Sequence, residues 1–200
     1  MISIGAIEEN SSISLVRAIR SIAFRATDGS HEGQRVMRHL LANTADSSAI
    51  SNTASETNFS VNEVLGSPIF QPGRIIRVIA SGVYSTTGTP TLIFKVKFGS
   101  TALVTFTAKT GINNASNQSW RLEATIVCRS TGASGTVMAF GTVYVNTAAG
   151  VDTVETVVNN SATTVDTTDA QTLQVSLTWS AMSSSNTATL KNFLAMLSDF

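Results

Sequence analysis

The sequence predicts an all-β protein, an eight-stranded jelly-roll β-sandwich that follows a partly helical amino-terminal arm. Three observations support this prediction. From position 74 onward, short stretches alternate between apolar and polar residues; clusters of Gly, Pro, Asn and Ser separate them; and Ser, Thr, Val and Gly dominate the composition. We therefore divide the chain into an arm over residues 1–60 and a jelly-roll β-sandwich domain over residues 61–200.

Eight strands can be placed by period-two alternation and by the turns between them. Their predicted ranges are 74–85, 91–98, 101–107, 120–129, 136–145, 151–158, 172–180 and 189–197. The last range has a composition that also suits a helix. We assign it as a strand because the seven preceding strands need a partner that closes the sheet. Eight strands separated by short turns are typical of the jelly roll.

Jelly-roll connectivity places the first, eighth, third and sixth strands in one sheet and the other four strands in the second sheet. The second, fourth and seventh strands have one polar face, whereas the first, third and eighth are apolar on both faces. We therefore expect the outer face of the first sheet to be covered by other subunits or by the arm. The alternative is a face that merely tolerates apolar residues. The predicted oligomer-interface residues are Ile75, Arg77, Ile79, Val83, Leu103, Phe193 and Leu197.

The arm is predicted to contain two short helices. Apolar residues recur at near-helical spacing over residues 12–26, and residues 43–60 are small and polar, which favours an extended linker. The second helix is predicted from four apolar residues on one face, Val36, Met37, Leu40 and Leu41.

Two short helices cannot offset their ordering entropy alone. We therefore expect the arm to dock on a neighbouring subunit or a larger assembly, or alternatively to fold back on its own domain. The predicted anchoring residues are Ile13, Val16, Ile19, Phe24, Val36 and Leu40.

Composition argues against several functions. Lys plus Arg and Asp plus Glu each number 13, and no basic cluster interleaves with aromatics, so nucleic-acid binding is not expected. No stretch has the apolar length of a membrane span, and the first residues, MISIGAIEEN, lack the features of a secretory signal. Cys128 is the single cysteine, so an internal disulfide is excluded, and we expect the protein to fold in a reducing compartment. We expect the Cys128 side chain to be a small buried apolar group.

No catalytic, metal or cofactor site is predicted, and we do not expect an enzyme. Both histidines, His31 and His39, precede the strands, so the strands lack the ligands of a cupin-type metal site and the base of a serine triad. Four acidic residues cluster in sequence around the sixth strand but lack EF-hand spacing, so we expect solvated side chains rather than a calcium site. They are Asp152, Glu155, Asp166 and Asp169.

The order of elements in two segments is distinctive. The first, TGTPTLIFKVKFGSTALVTF, reads as a strand, a Gly-Ser turn and a second strand. The second, WRLEATIVCRSTGASGTVMAFGTV, reads as a strand that begins with Trp, a hairpin rich in Thr and Gly, and another strand. This order resembles the jelly-roll domains of virion structural proteins of tailed bacteriophages, found in head decoration or cement proteins and in head or tail fibres. The resemblance covers residues 65–200. It implies a homotrimer in the virion, made in the host cytoplasm, with no catalytic residues.

Three functions remain open. The leading hypothesis is a trimeric capsid decoration protein that binds the major capsid protein or other virion proteins through its three arms, whose combined attachment raises avidity. The second is a receptor-binding or carbohydrate-binding module of a fibre, using loops 109–119 and 160–170. Its few aromatic side chains, all within predicted strands, argue against it. The third is a cellular trimeric ligand of the tumour-necrosis-factor or complement-C1q shape, which the missing secretory signal disfavours.

Overall fold

The computed structural model describes residues 37–148 and 151–198, which fold as two antiparallel sheets packed into a β-sandwich. Fourteen strands are present in the described residues. In chain order they are β1 Met37–Ala42, β2 Ile50–Ser51, β3 Thr57–Asn58, β4 Glu63–Leu65, β5 Ile75–Ser85, β6 Thr91–Phe98, β7 Thr101–Thr105, β8 Lys109–Thr110, β9 Gln118–Ser130, β10 Gly135–Ala148, β11 Val151–Val158, β12 Thr163–Val165, β13 Gln171–Trp179 and β14 Thr187–Ser198. A single turn of 3-10 helix, Ser67–Ile69, follows β4.

The larger sheet has eight strands in the order β1-β14-β5-β9-β10-β11, with β2 beside β14 and β12 beside β10. The smaller sheet has six strands in the order β3-β13-β6-β7, with β4 beside β13 and β8 beside β6. The predicted all-β class is confirmed. The eight predicted strands are all present, as β5, β6, β7, β9, β10, β11, β13 and β14.

The predicted jelly-roll sheet assignment is wrong for the middle of the chain. Three predicted neighbour pairs are present, the first strand with the eighth, the second with the seventh and the fourth with the fifth. The third strand, β7, instead stays beside β6 in the smaller sheet, and β9, β10 and β11 continue the larger sheet from β5. The reason is the two-residue turn between Phe98 and Thr101, because a turn this short keeps both strands adjacent in one sheet.

The second predicted helix of the arm is wrong where the structure describes it. Met37–Ala42 forms a strand that pairs with β14, with a bulge between His39 and Leu41. Leu40, predicted to anchor the arm on a capsid, packs together with Leu41 against the core of the sandwich. The bulge places two consecutive leucines on the core side, which imitates helical spacing in the sequence. The first predicted helix and the anchoring residues Ile13, Val16, Ile19, Phe24 and Val36 lie outside the described residues.

The predicted linker over residues 43–60 belongs to the sandwich, so the predicted domain boundary at residue 60 is wrong. This stretch contributes β2 to the larger sheet and β3 to the smaller sheet. Its side chains Ile50 and Phe59 are buried in the core. Phe59 also stacks on Trp120, with ring centroids 5.4 Å apart, and Trp120 contacts Phe94 at 4.7 Å. Residues 37–60 therefore join both layers around the aromatic centre of the core.

Candidate interaction face

The outer face of the smaller sheet is polar and internally paired. Glu56 accepts charged hydrogen bonds from Lys95 and Lys97, each with a nitrogen–oxygen distance of 2.6 Å, and a third from the Ser176 hydroxyl at 3.1 Å. The two lysines on β6 lower the pKa of the Glu56 carboxyl to about 2, against the opposing effect of partial burial. This face therefore satisfies its own charges within one subunit.

The outer face of the larger sheet carries apolar side chains on both sides of a polar centre, where Arg77, Glu123 and Thr125 lie. Strand register places Leu194 opposite Ile79, Met196 opposite Arg77, and Val127 opposite Met138. Since directly opposite residues of antiparallel strands share a face, these side chains form one surface. We define the outer apolar face by Ile75, Ile79, Val127, Met138, Phe140, Val158, Leu194 and Met196.

The most exposed apolar side chains are concentrated at one side of the larger sheet. Of six large hydrophobic residues exposed in the described part of the chain, four form two cross-strand pairs on β10 and β11. Phe140, 45 % exposed, lies opposite Val158, 64 % exposed; Tyr144, 36 % exposed, lies opposite Val154, 53 % exposed. The hydroxyls of Thr142 and Thr156 share a 3.0 Å hydrogen bond between the two pairs. An apolar surface of this kind is typical of an interaction site.

The structure divides the seven predicted interface residues into two groups. Ile75, Arg77, Ile79 and Val83 lie on the outer face of the larger sheet. Leu103, Phe193 and Leu197 are instead buried in the core, so their assignment to the interface is wrong.

Bulges explain these three corrections. In β14 the register shifts between Leu190 and Asn192, which turns Phe193 and Leu197 inward. In β7 the register shifts between Val104 and Ala102, so that Leu103 is the extra residue and is buried together with Val104.

The bulge in β14 is held by the segment predicted to be a linker. The Phe193 amide donates to the Asn43 side-chain oxygen at 2.5 Å, and the Asn43 side-chain nitrogen donates to the Lys191 carbonyl at 2.9 Å. The Leu190 amide donates to the Ser47 hydroxyl at 2.9 Å. These side chains bind backbone groups that a bulge would otherwise leave without partners. The polar pair Lys191-Asn192 inside an otherwise apolar strand is the sequence signal for this bulge.

A depression of about 510 Å³ adjoins the outer apolar face. Register places Ser81 opposite Asn192 on one side and opposite Arg121 on the other, and Arg121 in turn lies opposite Tyr144. We define the outer-face depression by the residues of this face that line it, Ser81, Val83, Ser119, Arg121, Tyr144, Asp152, Lys191 and Asn192. Tyr144 lies within a strand, as predicted. The alternation of the sequence did not predict that its ring would be exposed.

Two of the four acidic residues around the sixth predicted strand, Glu155 and Asp166, form different kinds of contact. Glu155 forms a 2.8 Å ion pair with Lys109 and accepts a 2.9 Å hydrogen bond from the Thr107 amide, which ties β11 to the loop between β7 and β8. Partial burial would raise the pKa of Glu155, but Lys109 and Thr107 outweigh it and lower that pKa. Asp166 instead accepts hydrogen bonds from Thr168 in its own turn.

We next consider metal ligands, the cysteine and membrane-spanning helices among the described residues. Residues 37–148 and 151–198 contain no group of three or more His, Cys, Asp and Glu that could hold a metal ion. Cys128 is buried, as predicted, and burial raises the pKa of its thiol. The described chain has no helix of the length and apolarity needed to cross a lipid bilayer.

No protein-family model matches the chain, and the comparison with curated proteins found no match.

Proposed function

We propose that this protein is a structural subunit, not an enzyme, that self-associates through the outer apolar face of its larger sheet. One observation carries the proposal. Of the six large apolar side chains that are exposed in the described residues, four form two cross-strand pairs on the outer face of the larger sheet, whereas one, Val64, lies on the smaller sheet. Burial of one such side chain contributes about 1.5–3 kcal/mol before the costs of association.

The proposed assembly is a homotrimer, and the proposed role is decoration of a tailed-bacteriophage capsid. This finer proposal is supported by the resemblance of residues 65–200 to virion proteins of that class, whose members are commonly trimers. It does not need jelly-roll connectivity, because the exposed pairs on β10 and β11 exist in the observed sheet order. The partner would be the major capsid protein or another virion protein.

The oligomeric state tests the self-association. Light scattering of the full chain at micromolar concentration should give three times the mass of one chain. Phe140→Asp should reduce the mass to that of one chain, because it places a charge in the buried face. Val64→Asp is the matched control, since Val64 is also exposed, at 60 %, but lies on β4 of the smaller sheet. A wild-type monomer, or a Phe140→Asp trimer, would contradict the proposed interface.

Capsid attachment tests the finer role. A deletion of residues 1–34 spares every strand described above, whereas a deletion of residues 1–60 would remove β1, β2 and β3. We expect the shorter deletion to keep the trimer and to lose co-sedimentation with heads of the phage that encodes the protein. Attachment that survives this deletion would show that the amino-terminal residues are not the anchor.

A further inference from the structure

The outer face of the larger sheet contains two apolar patches that carry opposite charges. The β5–β14 patch surrounds one cation, Arg77, and its four apolar residues are Ile75, Ile79, Leu194 and Met196. The β10–β11 patch adjoins one anion, Asp152, and its four apolar residues are Phe140, Tyr144, Val154 and Val158. The polar centre of the face separates the two patches. One face therefore presents two surfaces that are complementary in charge.

Arg77 has no ionic partner within its own subunit. Its side chain is exposed on β5 and forms no hydrogen bond or ion pair with the described part of the chain. The carboxylate of Glu123, on the neighbouring strand β9, is already held by Arg121 at 2.5 Å. Burial of a charge without a partner is costly. A subunit that covers the β5–β14 patch should therefore bring a carboxylate to Arg77.

Asp152 is the carboxylate that remains open. In the described strands, two carboxylates lie on this face, Glu123 and Asp152, and only Asp152 is exposed without a hydrogen bond or an ion pair. Strand register places Arg77 in the same row as Phe140 and Val158. Asp152 is six residues from Val158 along β11, which corresponds to about 20 Å. Arg77 and Asp152 can therefore pair only between subunits.

The surface beside Arg77 has room for side chains of a second copy. A recess of about 280 Å³ lies there, and its lining on the outer face includes Arg77, Thr125, Phe140 and Thr142. The recess is open to the outer face, so a side chain of a second copy can reach the guanidinium without movement of the strands. Arg77 is thus accessible to a carboxylate from outside the subunit.

We propose that Arg77 of each subunit forms an ion pair with Asp152 of a neighbouring subunit, so that the β5–β14 patch packs on the neighbour's β10–β11 patch. In a ring of three subunits, each contact joins two different surfaces, and this face supplies both. The opposite charges favour this arrangement, whereas contact between two identical patches would bring like charges together. The proposal rests on the proposed self-association and specifies its contacts.

Charge reversal of the full chain, followed by sedimentation velocity over a range of concentrations, tests the pair. The measured quantity is the protein concentration at which half of the chains are assembled. Arg77→Glu and Asp152→Arg should each raise that concentration at least about tenfold, because each brings like charges together. The double variant Arg77→Glu/Asp152→Arg should return it to within about threefold of the wild-type value, because the pair is restored with its signs exchanged.

Arg77→Glu/Asp169→Arg is the matched control, because it has the same net charge as the double variant. Asp169 is also exposed, but it lies in the loop between β12 and β13. This control should assemble as weakly as Arg77→Glu alone. A wild-type monomer would overturn the proposed function together with this inference. If the wild type assembles, this inference alone is overturned by a double variant no stronger than the single variants, or by a control that restores assembly equally well.

Discussion

Ile79 on β5 and Leu194 on β14 lie directly opposite each other on the outer face of the larger sheet. The residue before Leu194, Phe193, is 1 % exposed and belongs to the core. Two adjacent apolar residues thus serve different surfaces, Phe193 the interior of one subunit and Leu194 the outer apolar face. The β14 bulge determines which of them is buried.

Alanine substitutions at these two positions should therefore differ in cost. Phe193→Ala should lower the free energy of unfolding by about 3–5 kcal/mol, because it leaves a cavity in the core. Leu194→Ala should cost about 1 kcal/mol, since less apolar area is lost from a half-buried site. Urea unfolding in a Phe140→Asp background, where association is removed, measures both. An equal loss of unfolding free energy in the two variants would contradict the assignment of Phe193 to the core and Leu194 to the outer face.

The Asn43 side chain should stabilise the bulge. Asn43→Ala removes the partners of the Phe193 amide and the Lys191 carbonyl, so we expect a loss of about 1–3 kcal/mol in the free energy of unfolding. Asn62→Ala is the control, because the one hydrogen bond of that side chain is a long contact of 3.4 Å to the Ser60 carbonyl, and should change stability by less than about 0.5 kcal/mol. A neutral Asn43→Ala would show that water or another group satisfies the bulge.

Gly82 lies where β5 approaches both β14 and the core indole. A Cβ atom there would lie 2.0 Å from the Thr189 carbonyl oxygen and 2.8 Å from the Trp120 ring. Since backbone cannot move aside cheaply, Gly82→Ala should destabilise the fold by about 3 kcal/mol or more in thermal or urea unfolding. Gly66→Ala is the control, because its Cβ would meet only Pro68 at an ordinary 3.6 Å, and it should be nearly neutral. A stable Gly82→Ala variant would contradict this close approach.

The Glu56 cluster should make stability depend on acid pH. The pKa of Glu56 is lowered from 4.5 to about 2 in the folded protein, so its contribution is fully present above about pH 5 and is lost as the pH falls toward 2. We expect Glu56→Gln to lower the free energy of unfolding at neutral pH by about 1–2 kcal/mol, less than the full shift implies because solvent and salt screen the group.

Urea unfolding between pH 2 and pH 7 measures this effect. The difference between wild type and Glu56→Gln should shrink as the pH falls, and also on addition of about 1 M salt, which shortens the screening length to about 3 Å. A difference that stays constant with pH would show that Glu56 contributes through packing and not through its charge.

The regular strands were predictable because period-two alternation is a local property. β6, with Leu92, Phe94, Val96 and Phe98 all buried, begins and ends where the sequence pattern predicts. The two-residue turn between Phe98 and Thr101 also indicates that β6 and β7 share a sheet. The prediction placed them in different sheets because it followed jelly-roll connectivity. Sheet membership of the other long strands depends on contacts far apart in sequence, which alternation does not encode.

The bulges and the short strands were not predictable in the same way. The consecutive leucines at positions 40 and 41 suit a helix as well as a bulged strand, and only the pairing with β14 decides between them. Residues 43–60 lack the apolar content of a strand, yet Asn43 and Ser47 are needed there as hydrogen-bond partners of β14. For the candidate site, four of the seven predicted residues lie on the outer face of the larger sheet. The outer-face depression could not be predicted, because its residues come from five strands whose alignment the sequence does not give.

The pairing of Met37 with Ser198 brings the two ends of the described sandwich together at one edge. A circular permutant is therefore geometrically simple, because a short Gly-Ser connector can join residue 198 to residue 37. New ends can be opened in the exposed hairpin loop between β9 and β10, near Ser134. Such a permuted chain would keep every strand pairing. Its new ends, to which labels or other domains could be fused, would lie at the turn between β9 and β10 instead of beside β1 and β14.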